Sequence, residues 1–227
     1  MKRCVIVIVA MGFLLGGCNS FSSAYTYRYR ITVEVDTPQG LRTESSVWET
    51  SAWEGSGIPD TAIRSSVRGE AVAVDLPGGT LFALLRGQDM DVNYSVGLVS
   101  SQLRQTPVQG VTITGDWKQN RRQIASRKPG VTLTPDLYPL LVRFRDLSSP
   151  ASVEKVDPAA LAASFGPGVR LRRIVVQVTD ERVTEGIENR LPWLPSQRGM
   201  LVVVPLDTPK SAGPFSSLLT EGDFVRS

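Results

Sequence analysis

From Tyr25 the chain alternates strictly. Tyr27, Tyr29, Ile31, Val33 and Val35 are separated by Arg28, Arg30, Thr32 and Glu34, the period of a strand buried on one face. Asp36-Thr37-Pro38-Gln39-Gly40 reads as a turn, with proline fixing φ and glycine closing it. Leu41 to Glu49 is then expected to pair back, and Trp53 to Pro59 to be loop. A second hairpin is predicted from Glu70 to Leu76, a turn at Pro77-Gly78-Gly79 and a return over Thr80 to Leu85. The turns VDTPQGL and VDLPGGTL, with LDTPKSAG at 206–213, share turn chemistry but no flanking pattern, so they do not mark a repeat.

Residues 86–115 show no clear periodicity. Residues 116–128 (DWKQNRRQIASRK) read as a helix, with Asp116 as N-cap and Pro129-Gly130 ending it. Tyr138 to Arg145 is predicted as a strand with Pro139 at its start, where a missing N–H is tolerated. Asp157 is expected to cap a short helix over Ala159 to Phe165, with Pro158 in its first position and Gly166-Pro167-Gly168 stopping it. Val169 to Asp180 reads as a long strand and Met200 to Leu206 as a last apolar one. The expected fold class is α+β: a single domain dominated by antiparallel β-sheet hairpins, with about two short helices.

Ahead of this domain the pattern is different. Lys2 and Arg3 precede an apolar run from Cys4 to Leu15, followed by Gly16, Gly17 and Cys18. The run is about a dozen residues, against roughly 20 needed to span a bilayer as a helix, and the layout is that of a secretory signal. Leu15-Gly16-Gly17-Cys18 resembles the lipobox of bacterial lipoproteins. That resemblance implies cleavage before Cys18, a diacylglyceryl thioether on its sulfur and acylation of the new amine. Residues 1–17 would be the signal, 18–24 the lipidated N-terminus and a short polar tether, and 25–227 the globular domain. Six tether residues reach at most roughly 20 Å, so the domain is expected close to the membrane surface. Asn19 stands where inner-membrane lipoproteins of enteric bacteria carry Asp, which by resemblance favours the periplasmic face of the outer membrane. A softer resemblance, over 136–174 and 183–194, is to proteobacterial lipoproteins of unknown function, and it implies no activity.

Composition is then read differently. The full chain has 25 Lys and Arg against 22 Asp and Glu. Loss of Lys2 and Arg3 with the signal leaves 23 basic residues, so the basic balance is no argument for a nucleic-acid partner. Cys4 and Cys18 are the only cysteines and histidine is absent. Once Cys18 is blocked, Ser-His-Asp, Cys-His and His-ligated zinc chemistry are excluded, and no cofactor is expected. Asp89-Met90-Asp91-Val92-Asn93 opens like a calcium loop, but Tyr94 and Ser100 occupy the positions that need glycine and glutamate, so a polar turn is expected. Gly78-Gly79 and Gly166-Pro167-Gly168 lack the phosphate-loop context. Trp48 and Trp53, five apart, would point to opposite faces of one strand and cannot both line one groove unless the strand ends between them; they and Trp193 are expected in core or rim packing. Trp117, Lys118, Arg121 and Arg122 are candidates for contact with anionic headgroups, against the alternative of a solvated helix face that packs Trp117 and Ile124 inward. The expected function is that of a membrane-tethered envelope lipoprotein with a structural or interaction role, binding lipid through Cys18 and an envelope protein. The alternative is an envelope hydrolase with paired carboxylates.

Overall fold

The alternation that opens the domain becomes its central strand. The computed structural model describes residues 25–55, 62–205 and 213–227, so Cys18, the tether and most of the third turn lie outside the described residues. β1 (Tyr25–Thr37) buries Tyr27, Tyr29, Ile31, Val33 and Val35 on one face. It is hairpinned to β2 (Gly40–Glu54), with Thr37 opposite Gly40 and only Pro38-Gln39 between. Gly40 has φ +109°, a conformation costly for any residue with a Cβ. The Thr37 hydroxyl accepts from the Gln39 N–H and donates to the Gly40 carbonyl.

β3 (Ile63–Glu70) pairs with β2, a strand the sequence pattern left unread. The second hairpin is β4 (Val72–Leu76) with β5 (Gly79–Gly87), and Gly79 at φ +125° repeats the closure seen at Gly40. Then follow α1 (Tyr94–Gln105), α2 (Trp117–Arg127), β6 (Gly130–Thr132), β7 (Pro139–Phe144), β8 (Val153–Lys155), α3 (Leu161–Phe165), β9 (Arg170–Thr179) and β10 (Val225–Arg226). The described strands form two sheets, ordered β10-β3-β2-β1-β9-β6 and β4-β5-β7-β8, and every pairing is antiparallel. This is the α+β, sheet-dominated single domain expected, with a third α-helix.

One hydrophobic core joins both sheets and the helices. β4 lies against β1 and β2, while α1 and α2 cover the Tyr27–Tyr29 end of the large sheet. Tyr29 is fully buried and its hydroxyl donates to the Ser95 carbonyl at 2.6 Å. Phe82, Phe144, Trp193 and Phe224 form an aromatic cluster on the small-sheet side, with ring centroids 5.6 to 6.5 Å apart where they touch. Each such large apolar side chain is worth roughly 1.5–3 kcal/mol when fully buried.

Three expectations are corrected, and one segment that carried no prediction is helical. Trp53 belongs to β2, not to a loop. The short helix begins at Leu161. Asp157 instead receives the Ala159 N–H on its carboxylate and the Ala160 N–H on its carbonyl, holding a turn ahead of the helix. Residues 86–115 contain α1, which has no periodic signature strong enough to read. Met200 to Pro205, the described part of the last expected strand, is not a strand. It makes one bridge, Met200 to Thr220, and a Leu201 N–H bond to Leu219, because no neighbouring strand runs beside it.

Candidate functional site

The first described residues and α2 are built into one surface. Asp116 caps α2 by accepting from the Lys118 and Gln119 N–H groups, and Lys128 closes it in the left-handed conformation at φ +48°. This orients the first turns of the helix across the start of β1. Trp117 meets the Tyr25 ring edge-on, with centroids 5.4 Å apart. Arg122 lies over the same ring, 4.9 Å from its centroid, and donates to its hydroxyl at 2.7 Å. Lys118 reaches Glu54 at 2.6 Å, and that hydrogen bond raises the ammonium's pKa above its ordinary value. The four sequence candidates are thus close together, but they do not share a role. Trp117 and Lys118 are half-buried and Arg122 is exposed.

Arg121 turns inward. It is 8% exposed and donates to the Tyr25 carbonyl at 2.8 Å and to the Thr50 carbonyl and hydroxyl at 2.6 and 3.2 Å. Its guanidinium stacks 4.6 Å from the Tyr27 centroid. Burial lowers its pKa from the ordinary arginine value, an effect Tyr27 and Tyr29 oppose. Arginine stays cationic in proteins, so this is a buried charge satisfied by backbone oxygens. It fixes α2 to the ends of β1 and β2.

A second feature lies at the β3–β10 edge of the large sheet. An open cleft of about 840 Å³ is lined by Ser66, Glu188, Arg198, Glu221 and Arg226 among others. Arg226 donates to the Gly222 and Val92 carbonyls, and Arg198 to the Pro195 and Gln197 carbonyls, so both guanidinium groups are partly committed to backbone. Beside it Glu70, 7% exposed, accepts the Ile187 N–H at 2.8 Å. Burial pushes the Glu70 carboxyl above its usual range, and Glu188 and Glu185 add to that, while the Ile187 and Gly186 N–H groups oppose it. Nothing in the sequence announced this cleft, since its walls come from three separate stretches, Ser66 and Val67, residues 188–198 and residues 221–227.

No family model, curated protein or solved structure matches the chain.

The remaining candidates resolve into packing. Trp48 is fully buried and donates to the Glu70 carbonyl at 2.7 Å, and Trp53 is half-buried on the opposite face of β2. Trp193 donates to the Leu147 carbonyl and packs on Phe144 and Phe224. At Asp89–Asn93 each aspartate receives the N–H two residues on, and Met90 has φ +69°: successive polar turns that lead into α1. No group of three or more His, Cys, Asp or Glu among the described residues is placed to hold a metal ion. No helix among the described residues is long and apolar enough to cross a membrane.

Proposed function

We propose that this chain is a lipid-tethered lipoprotein of a bacterial envelope, anchored through Cys18, and that its folded domain works by binding rather than by catalysis. The observation that supports this reading is positional. β1 starts at Tyr25, immediately after the short polar segment that follows Cys18, and Tyr25 contacts both Trp117 and Arg122. A tether of six residues spans at most roughly 20 Å, so the surface beside Tyr25 is the one held against headgroups. Trp117 supplies an amphipathic ring suited to the interface, and Lys118 and Arg122 supply positive charge near anionic lipid.

Arg121 is excluded from that contact by its burial. The testable pair is therefore Lys118→Glu with Arg122→Glu. The full chain carrying Cys18→Ser, so that no acyl chain contributes, is expected to co-sediment with vesicles containing phosphatidylglycerol. The double reversal is expected to weaken that binding at least about thirtyfold, at roughly 1 kcal/mol for each of the two positive charges lost near the surface and with two negative charges added. Equal binding by both proteins refutes the surface assignment.

A further inference from the structure

We propose that the β1–β2 hairpin is a self-association edge, at which β2 of one copy pairs antiparallel with β2 of a second copy about a two-fold axis at Thr43. Over Glu49–Glu54, β2 is bordered by β3, and at Val47 by Thr184, which donates its N–H to the Val47 carbonyl and accepts the Val47 N–H on its hydroxyl. Upstream of that the border ends. Gly40 to Ser45 is exposed at every position, and no described residue bonds to this edge.

The parity of the ladder says which groups face outward. Val47 directs its N–H and carbonyl away from β1, and the β1–β2 register runs without a shift from Thr37↔Gly40 to Tyr25↔Ala52. In an antiparallel pair alternate residues bond to alternate sides, so Leu41, Thr43 and Ser45 also present unpaired N–H and carbonyl groups to solvent. Such a row is a template for another strand.

Charge selects the occupant. Arg28, Arg30, Glu34, Asp36, Glu49 and Glu54, the other charged residues of β1 and β2, all form ion pairs. Arg42 and Glu44 form none among the described residues and are exposed; Glu44 acts at longer range on Arg190, which is itself paired with Asp75. They lie two apart on the strand, flanking Thr43. A second copy centred on Thr43 sets each Arg42 opposite the other copy's Glu44, twice, with Thr43 opposite Thr43 and Leu41 opposite Ser45. The Thr43 pair exchanges both backbone bonds, and the Arg42–Glu44 pairs fall at the closer, non-bonded positions about 4.5 Å apart in Cα, where side chains interact most. Centring one residue either way puts Arg42 opposite Arg42 or Glu44 opposite Glu44, which is repulsive. Room exists below the edge: a groove of about 340 Å³ lies beside Arg42, between Gln39 and the Asp75–Pro77 turn.

The test is sedimentation of the full chain in mild detergent at tens of micromolar. The wild type is expected to dimerise. Arg42→Glu alone and Glu44→Arg alone each place like charges at both cross-strand pairs, and each is expected to weaken the dimer at least tenfold. A one-to-one mixture of these two variants is expected to recover a heterodimer at wild-type strength. Thr43→Pro, which removes an outward N–H that β1 does not use, is expected to leave a folded monomer by circular dichroism. A wild-type monomer, or a dimer unmoved by either reversal, or a mixture that fails to associate, each overturns the proposal.

Discussion

Arg121 and Arg122 are neighbours in a basic run, and only the structure separates them. Arg121 is one of the residues that hold α2 in place, through bonds to Tyr25 and Thr50 and stacking on Tyr27, whereas Arg122 contacts the exposed side of Tyr25. Hydrogen bonds to charged groups contribute about 1.5–3 kcal/mol each. Arg121→Met is therefore expected to lose about 2–4 kcal/mol in urea denaturation, and Arg122→Met about 0.5 kcal/mol or less. Arg121→Lys should recover only part of the loss, because a single ammonium cannot span carbonyls on two strands as the guanidinium fork does. Equal effects at the two positions would contradict the assignment. Sequence could not make the distinction, since the helix places both side chains near β1 and their final directions depend on where β1 and β2 end. At Trp48 and Trp53 residue parity decides the faces only once β2 is known to continue through Glu54, beyond the Glu49 end that the pattern gave it: the structure buries one completely and half-buries the other.

At the scale of elements, the strands with unbroken alternation and the helix with a capping residue were legible. β1, β2, the β4–β5 hairpin, β7, α2 and β9 all lie where their patterns place them, within a few residues. α1 was not legible for a physical reason. Its sequence YSVGLVSSQLRQ contains Gly97, three serines and two valines, all modest helix formers, and Asn93 makes no side-chain cap bond. It is a helix because Leu98, Val99 and Leu103 are buried in the core, together with Gln102, whose side chain meets Thr106 and Thr134. The C-terminal segment is held in a comparable way. Arg86 of β5 donates to Asp223 at 2.8 Å and to the Leu218 carbonyl, and Asp223 receives the Thr220 N–H. Arg86 is 8% exposed and Asp223 1%. Removing one partner of a buried pair costs about 3–5 kcal/mol, because the other charge is left uncompensated. Asp223→Ala is expected to abolish amide protection across 213–227 in hydrogen exchange, while protection in β1 and β9 persists. Undiminished protection there would show that Phe224 packing alone holds the segment.

At the scale of the whole molecule, the two ends of the β1–β2 hairpin differ in character. One end carries Tyr25, Trp117, Lys118 and Arg122 next to the segment leading back to Cys18. Toward the other, where Ser45 lies opposite Thr32 and Leu41 opposite Asp36, about 23–36 Å away at 3.3 Å per residue, runs the unpaired edge of Leu41 to Ser45. The cleft at the β3–β10 edge adds a polar concavity, with Ser66 and Val67 of its wall level with Thr26 and Tyr27. The outer face of the large sheet between the two ends is a ladder of ion pairs, with Arg173 on Glu34 and Arg170 and Arg172 on Asp36. The two hydrogen-bonded arginines hold the Asp36 carboxyl below its usual range, yet pairs this exposed contribute little to stability. The central claim is the anchor. Its most direct measurement is incorporation of labelled palmitate by the full chain expressed in a Gram-negative host, followed by membrane fractionation. Label and membrane partition are expected for the wild type, and loss of both with Cys18→Ala. A Cys18→Ala chain that still takes up label and stays with the membrane would contradict that claim.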